Sequence, residues 1–313
     1  MTATFSRRTT LALIASAAVL AGCARASSGS ILKVGCQKGS TKAMMLASHA
    51  LDGANFSIEW SEFPAAQTLL EAIGSGAVDV GLVGDAPFQF AYQSGSPIRA
   101  VGAQLVSPRP REALAIIVPK ESPARDINGL RGKSIATTRG SVGHYLVLRA
   151  LDAANLPASA VRLTFLSPGD AKAAFSSGSI DAWSTWIPYL TAALDEGARV
   201  VADGADFVRG YGFEVANLTA ITEKRTLIAD FLKREATALQ WTATHRDDYA
   251  RVLATETGLP LPIARTMVTK NSRLRVPIDT PLIADQQIVI DTFRKLGAIR
   301  GDRPVAGGFA TNF

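Results

Sequence analysis

The residues best suited to chemistry lie in two short turns of the same composition. Lys38-Gly39-Ser40 follows a β-favouring run, Ile31–Gly35, and precedes a helical stretch that begins near Thr41. Arg139-Gly140-Ser141 follows Ser134–Thr138 and precedes apolar residues at Val142, Leu146 and Leu151, spaced for one face of a helix. Each reads as strand, tight turn, helix. Gly140 lets the chain turn without a Cβ clash, and Ser141 is a good N-cap for the helix that follows. The remaining free N–H groups and the positive end of the helix dipole suit an anion held by hydrogen bonds. A third turn, Val83–Pro87, offers Gly84 for close backbone approach, Asp85 as an N-cap and Pro87 in a first helical turn. Covalent and metal chemistry find less footing. The three histidines, His49, His144 and His245, have no metal-ligand spacing, and neither a phosphate-binding G-x-x-x-x-G-K loop nor a nucleophile elbow is present. No cofactor and no metal are expected.

The elements that position these turns repeat. Ser75-Gly76-Ala77-Val78-Asp79-Val80 corresponds to Ser177-Gly178-Ser179-Ile180-Asp181-Ala182, and Pro87 and Pro188 each open the helix after the following strand. Two similar β-α-β-α units predict an α/β protein with two lobes built on one plan. In open parallel sheets ligands sit beyond the carboxyl ends of strands. The loops 36–40, 84–87, 139–141 and 183–188 are therefore expected to face one another across a cleft. The apolar strand Ala113–Val118 ends at Pro119 before a turn-rich run, and Tyr211–Ile221 reads as the return strand. This places lobe 1 at residues 31–118 and 220–313 and lobe 2 at 119–219. From Thr226 the pattern is helical, with breaks at Gly258–Pro262 and Pro277–Pro281, and these helices are expected to pack on lobe 1.

The N-terminus reads as a targeting segment. Arg7 and Arg8 precede an apolar run, Leu11–Gly22, too short to span a bilayer and suited to a signal peptide. The run ends Leu20-Ala21-Gly22-Cys23, which resembles a bacterial lipobox and implies cleavage before Cys23 and lipid on that cysteine. Residues 1–22 are then signal and 23–30 a tether, leaving a chain long enough for two lobes. The protein is expected outside the cytoplasm, in the periplasm, anchored through Cys23. With one of two cysteines lipidated, Cys36 is expected to form no disulfide. A net charge of +6, scattered and in part on the leader, with only 7% aromatics, fits a small anionic ligand and argues against nucleic acid.

Several segments together resemble the aliphatic-sulfonate-binding proteins of bacterial ABC importers. They are Gly35–Ser40 (G-C-Q-K-G-S), Glu62–Pro64 (E-F-P), Val83–Pro87 (V-G-D-A-P), Arg139–Leu151 (R-G-S-V-G-H-Y-L-V-L-R-A-L) and Ile180–Tyr189 (I-D-A-W-S-T-W-I-P-Y). The likeness spans nearly the whole mature chain. It implies the two-lobed, hinged type II periplasmic binding protein fold, a monomer that delivers an alkanesulfonate to a membrane permease and its ATPase, and a role in sulfur metabolism. Taurine, nitrate and thiamine-precursor binders are similar to the same group and stand as alternative ligand classes.

The resemblance also implies a ligand set: Gln37, Gly84, Asp85, Ser141, His144 and Trp183. Gln37 has two donors for a sulfonate oxygen, Ser141 either binds or caps, and Asp85 suits a cap better than an anion contact unless the ligand carries an amine. His144 either donates to the ligand or packs, and Trp183 or Trp186 walls the tail. Lys38 and Arg139 each precede the glycine of their turn and either meet the anion or point into water. Three departures from the family pattern are notable: Cys36 where an aromatic is common, Ile187 where an acid often follows the second tryptophan, and Glu214 in the return strand, which suits an ammonium-bearing ligand. Similar proteins include desulfinases with a loop cysteine, so Cys36 activated by His144 is the enzymatic alternative. A binding protein, not an enzyme, is the expectation.

Overall fold

The computed structural model describes residues 30–37, 40–311 and 313. The expected signal segment, the lipidation residue Cys23 and the turn residues Lys38 and Gly39 lie outside them.

Eleven strands among the described residues form two mixed sheets. The first contains β1 (Ser30–Gln37), β2 (Phe56–Phe63), β3 (Val80–Gly84), β4 (Ile98–Val106), β10 (Tyr211–Asn217) and β11 (Arg273–Val276), in the order β11-β4-β10-β3-β1-β2. The second contains β5 (Leu114–Val118), β6 (Ser134–Thr137), β7 (Arg162–Phe165), β8 (Ala182–Trp186) and β9 (Arg199–Asp203), in the order β7-β6-β8-β5-β9. Each sheet has a parallel trio, β2-β1-β3 or β7-β6-β8, flanked by an antiparallel strand, β10 or β5. Helices α1 (Ser40–Ala47), α2 (Ala66–Gly74) and α3 (Asp85–Gln93) belong to the first unit, and α4 (Val142–Ala153), α5 (Pro168–Ser176) and α6 (Tyr189–Asp195) to the second. The C-terminal part adds α7 (Leu218–Glu223), α8 (Arg225–Thr242), α9 (Arg246–Thr257), α10 (Leu261–Lys270) and α11 (Thr280–Lys295).

The repeat visible in the sequence has a structural cause. Asp79 accepts a hydrogen bond from the backbone N–H of Lys33 at 2.7 Å, tying the start of β3 to β1. Asp181 does the same to Ser134 at 2.8 Å, tying β8 to β6. A carboxylate that satisfies a neighbouring strand's free N–H fixes the register of each parallel pair.

The lobe boundaries differ from those read in the sequence. The strand at Ala113–Val118, expected in lobe 1, pairs as β5 with β8 and β9 in the second sheet, and β10, expected in lobe 2, lies between β3 and β4 in the first. The chain thus crosses between sheets at residues 107–113 and 204–210. The turn-rich run after Pro119 belongs to lobe 2, and its Ala124, Ile127 and Leu130 are buried in that lobe's core. Most of the C-terminal helices follow expectation: Ile228, Phe231 and Leu232 of α8 pack with Leu32, Val34 and Val80 of the first sheet. Helix α11 does not stay with lobe 1. Its Val289, Ile290 and Phe293 share a core with Leu146, Val147 and Ala150 of α4 and with Ala86 of α3, so it joins the two lobes.

Candidate functional site

A cleft of about 240 Å³ lies between the two sheets, lined from both lobes. The beginnings of α1, α2 and α3 reach it from the first lobe through Ser40, Ala66 and Asp85, and those of α4 and α6 from the second through Val142 and Tyr189. These starts follow the carboxyl ends of strands, where the parallel trios leave a crevice. Unfilled helix N–H groups therefore converge on it from opposite halves.

Of the residues selected from the sequence, Gln37, Gly84, Asp85 and Ser141 line the cleft. Gln37 closes β1 and its Nε2 donates to the Leu82 carbonyl at 3.1 Å, which holds the amide at the cleft floor. Gly84 is the N-cap of α3, with an extended backbone and no side chain. The Asp85 carboxylate accepts from the Ala86 N–H at 2.7 Å. Burial pushes its pKa up to about 6, against the pull of the Ala86 N–H, the Gln286 amide and the Arg273 charge. Ser141 caps α4, its Oγ accepting from the His144 N–H at 3.0 Å.

His144, Trp183 and Glu214 are not among the lining residues. His144 turns its ring to Phe165 and Phe293, at centroid distances of 5.0 and 5.5 Å, while Nδ1 accepts from the Gly140 N–H at 3.2 Å. Burial, with the Arg139 charge, lowers its pKa to about 4, so the ring is a neutral packing group that braces the turn before α4. Arg139 stacks on Phe165, 3.9 Å from the ring centre. Trp183 is 2% exposed and packs with Phe175 and Tyr189 in the core of lobe 2. Successive strand residues face opposite ways, so Trp186, three residues on, takes the other side of β8 at its carboxyl end and lines the cleft.

Glu214 is 1% exposed and bonds to the Gln104 amide and, at 3.2 Å, to Arg275. Arg275 also lies 3.8 Å from Glu235, whose burial beside Glu214 raises its pKa well above the usual carboxylate range. The ammonium-binding role suggested for Glu214 is thus taken by an internal arginine. Cys36 is fully buried beside Leu32 and Val34 on the inner face of β1, in the other lobe from His144, so the two make no nucleophile and base pair.

Two residues that the sequence reading passed over carry the strongest anion-binding signal. Arg273, on the edge strand β11, extends its guanidinium over Gly212, where a Cβ would stand 2.6 Å from Nη1. Nε donates to Asn271 at 3.0 Å, but Nη1 is buried and has no hydrogen-bond partner. Burial lowers the arginine's proton affinity, and the carboxylates of Glu214 and Asp85 act against that. Gln67, in the first turn of α2, likewise lines the cleft with both amide atoms buried and unpartnered. Buried donors without partners are costly, and a ligand oxygen satisfies them. The missed signal lay in Arg273-Leu274-Arg275: Leu274 is 53% exposed while both arginines turn inward, the reverse of ordinary strand patterning.

Among the described residues no cluster of His, Cys, Asp or Glu could hold a metal ion, and no helix is long and apolar enough to cross a membrane. Two sheets of this order, joined by two crossings over one cleft, are the two-lobed type II periplasmic binding protein fold. The chain belongs to the NMT1/THI5-like family, which matches residues 54–247. It is 35% identical over 272 residues (85% of this chain, 84% of the other) to an Escherichia coli (strain K12) protein named for aliphatic-sulfonate binding. The crystal structure of the periplasmic aliphatic sulphonate binding protein SsuA from Escherichia coli matches with 32% identity and a TM-score of 0.78, over 90% of this chain and 98% of that one. The alkanesulfonate-binding protein SsuA from Xanthomonas axonopodis pv. citri, bound to MOPS, matches with 30% identity and a TM-score of 0.81, over 91% and 99%. These relatives are named as binding proteins, not as enzymes. The desulfurization enzyme DSZB, at 16% identity and a TM-score of 0.65, shares the fold alone.

Proposed function

We propose that the protein is the receptor of an ABC importer and captures a small organosulfonate, an alkanesulfonate, in the cleft for delivery to a membrane permease and its ATPase. The observation that carries this reading is that Arg273, with a buried and unpartnered Nη1, and Gln67, with a buried and unpartnered amide, line the same cleft as the converging helix starts. A sulfonate presents three acceptor oxygens and one delocalised negative charge, which suits a guanidinium, an amide and free backbone N–H groups together. Gln37, Gly84 and Ser141 complete that cradle. Trp186, Ile187, Pro188 and Tyr189 line the same cleft and give an alkyl tail an apolar wall. The sulfonate-binding roles named for the relatives support the same class.

Closure of the lobes follows from contacts that exist only when both walls meet the ligand. A thermal-shift screen of alkanesulfonates, taurine, sulfate, nitrate and thiamine precursors tests the reading. Stabilisation by alkanesulfonates at micromolar concentration is expected, and a response confined to another class would replace the ligand. Export and lipid attachment at Cys23 complete the proposal, with a monomer as the working unit. Mass spectrometry of the mature N-terminus should find a diacylglyceryl cysteine.

A further inference from the structure

The cleft does not end at Asp85. A second chamber of about 220 Å³ shares Asp85, Arg109 and Val208 with it and runs back between α4 and α11. Three arginines, Arg109, Arg149 and Arg209, and three aspartates, Asp85, Asp206 and Asp285, line it, and among the described residues only Arg209 of these arginines is ion-paired. Arg149 of α4 has a buried Nε without a hydrogen-bond partner, and neither Arg149 nor Arg109 has an ion pair among the described residues.

The acids of the chamber are already engaged. Asp206 is held by Arg111 at 2.7 Å, and Asp285 by Arg209 at 3.4 Å and the Tyr211 hydroxyl at 3.1 Å. Asp85 is committed to the Ala86 N–H. Gln286 of α11 is fully buried, its carbonyl accepts from Gln89 at 3.2 Å, and its Nε2 lies towards the Asp85 carboxyl without completing a hydrogen bond. The chamber therefore holds spare donors and spare positive charge on two elements, on the far side of Asp85 from Arg273.

Resting on the sulfonate reading, we infer that the preferred ligand is a sulfonate carrying a carboxylate at its other end, which Arg149, Gln286 and Arg109 receive in this chamber. A carboxylate is compact and planar, accepts on two oxygens and matches the guanidinium fork. The methylene chain then passes Asp85 and Val208, and the two anionic ends are held apart by separate arginines.

The test is isothermal titration with alkanesulfonates of two to six carbons ending in methyl, carboxylate or ammonium, against the wild type and Arg149→Met. At one chain length the carboxylated sulfonate should bind at least tenfold more tightly than its methyl-ended counterpart. Arg149→Met should abolish that advantage while binding the methyl-ended sulfonate within twofold of wild type, which also certifies its fold. Should Arg149→Met fail to fold, Gln286→Leu and Arg149→Lys should each reduce the advantage severalfold. No advantage for carboxylate at any length, a larger gain from ammonium, or equal losses for both ligands in Arg149→Met would overturn the inference and leave the sulfonate reading standing. Binding of no sulfonate at all would remove both.

Discussion

The two walls of the cleft are built from the same strand-turn-helix plan and serve different ends. The first-lobe wall offers Gln37, Gln67, Gly84, Asp85 and Arg273, two of them with buried atoms that lack a partner. The second-lobe wall offers Trp186, Ile187, Pro188 and Tyr189, with Ser141, whose Oγ accepts from the His144 N–H, as its polar contribution. Equivalent carboxylates, Asp79 and Asp181, keep the two frameworks alike, while the residues at the strand ends diverge. A repeated scaffold can thus assign charge recognition to one lobe and tail recognition to the other. The lobe that carries Arg273 should seize the sulfonate group first, and the wall with Trp186 should close over the tail.

Separating the tryptophans of β8 should give the largest effect. Trp183→Ala removes a buried side chain from the lobe 2 core and should cost about 3–5 kcal/mol of stability in urea denaturation, with little change in affinity for what remains folded. Trp186→Ala should do the opposite, weakening long-chain alkanesulfonates about tenfold in calorimetry, methanesulfonate hardly at all, and stability little. Arg273→Met breaks the polar wall. It should reduce affinity for every sulfonate by about 3 kcal/mol, more than a hundredfold, without lowering the melting temperature, because a buried cation with an unfilled donor is removed.

The third comparison is with acid. His144 has its pKa lowered from 6.5 to about 4, so it contributes stability above pH 6.5 that disappears as pH falls through 6.5 toward 4. That contribution is at most about 3 kcal/mol, and His144→Asn should flatten this limb of the pH-stability curve. The smallest effect belongs to Asp85, whose folded pKa is raised to about 6. Its carboxyl is neutral below that pH and ionises above it, so sulfonate affinity should fall a few-fold as pH rises through 6, and Asp85→Asn should hold the low-pH affinity throughout. The same sign holds for stability: the preference for the protonated carboxyl favours folding at low pH and is lost as pH rises through 6.

Much of this molecule was legible in its residues. The paired turns, the paired aspartates and the prolines after strands disclosed two α/β units, because local backbone needs dictate those residue types. The lobe boundary was less legible. The proline that ends Ala113–Val118 marks a break in the chain without saying which sheet the strand before it joins, because the pairing of β5 with β8 and β9 is a nonlocal choice. Of the residues that line the cleft, Gly84, Asp85 and Ser141 are legible as turn and helix-cap residues, whereas Gln37 rests on the family resemblance. Trp183 comes from the family resemblance, and the residues alone leave Trp183 and Trp186 open as the tail wall, because which face of β8 meets the cleft is set by packing against the rest of lobe 2. Arg273 was missed because its place depends on the vacancy above Gly212, on a strand far away in the chain.

The direct test of the account is a crystal structure of the protein soaked with hexanesulfonate. A sulfonate oxygen within hydrogen-bonding distance of Arg273 Nη1, with the alkyl chain against Trp186, is the predicted result. A sulfonate bound elsewhere, or bound in the cleft with Arg273 Nη1 still unpartnered, would contradict the division of labour between the two walls.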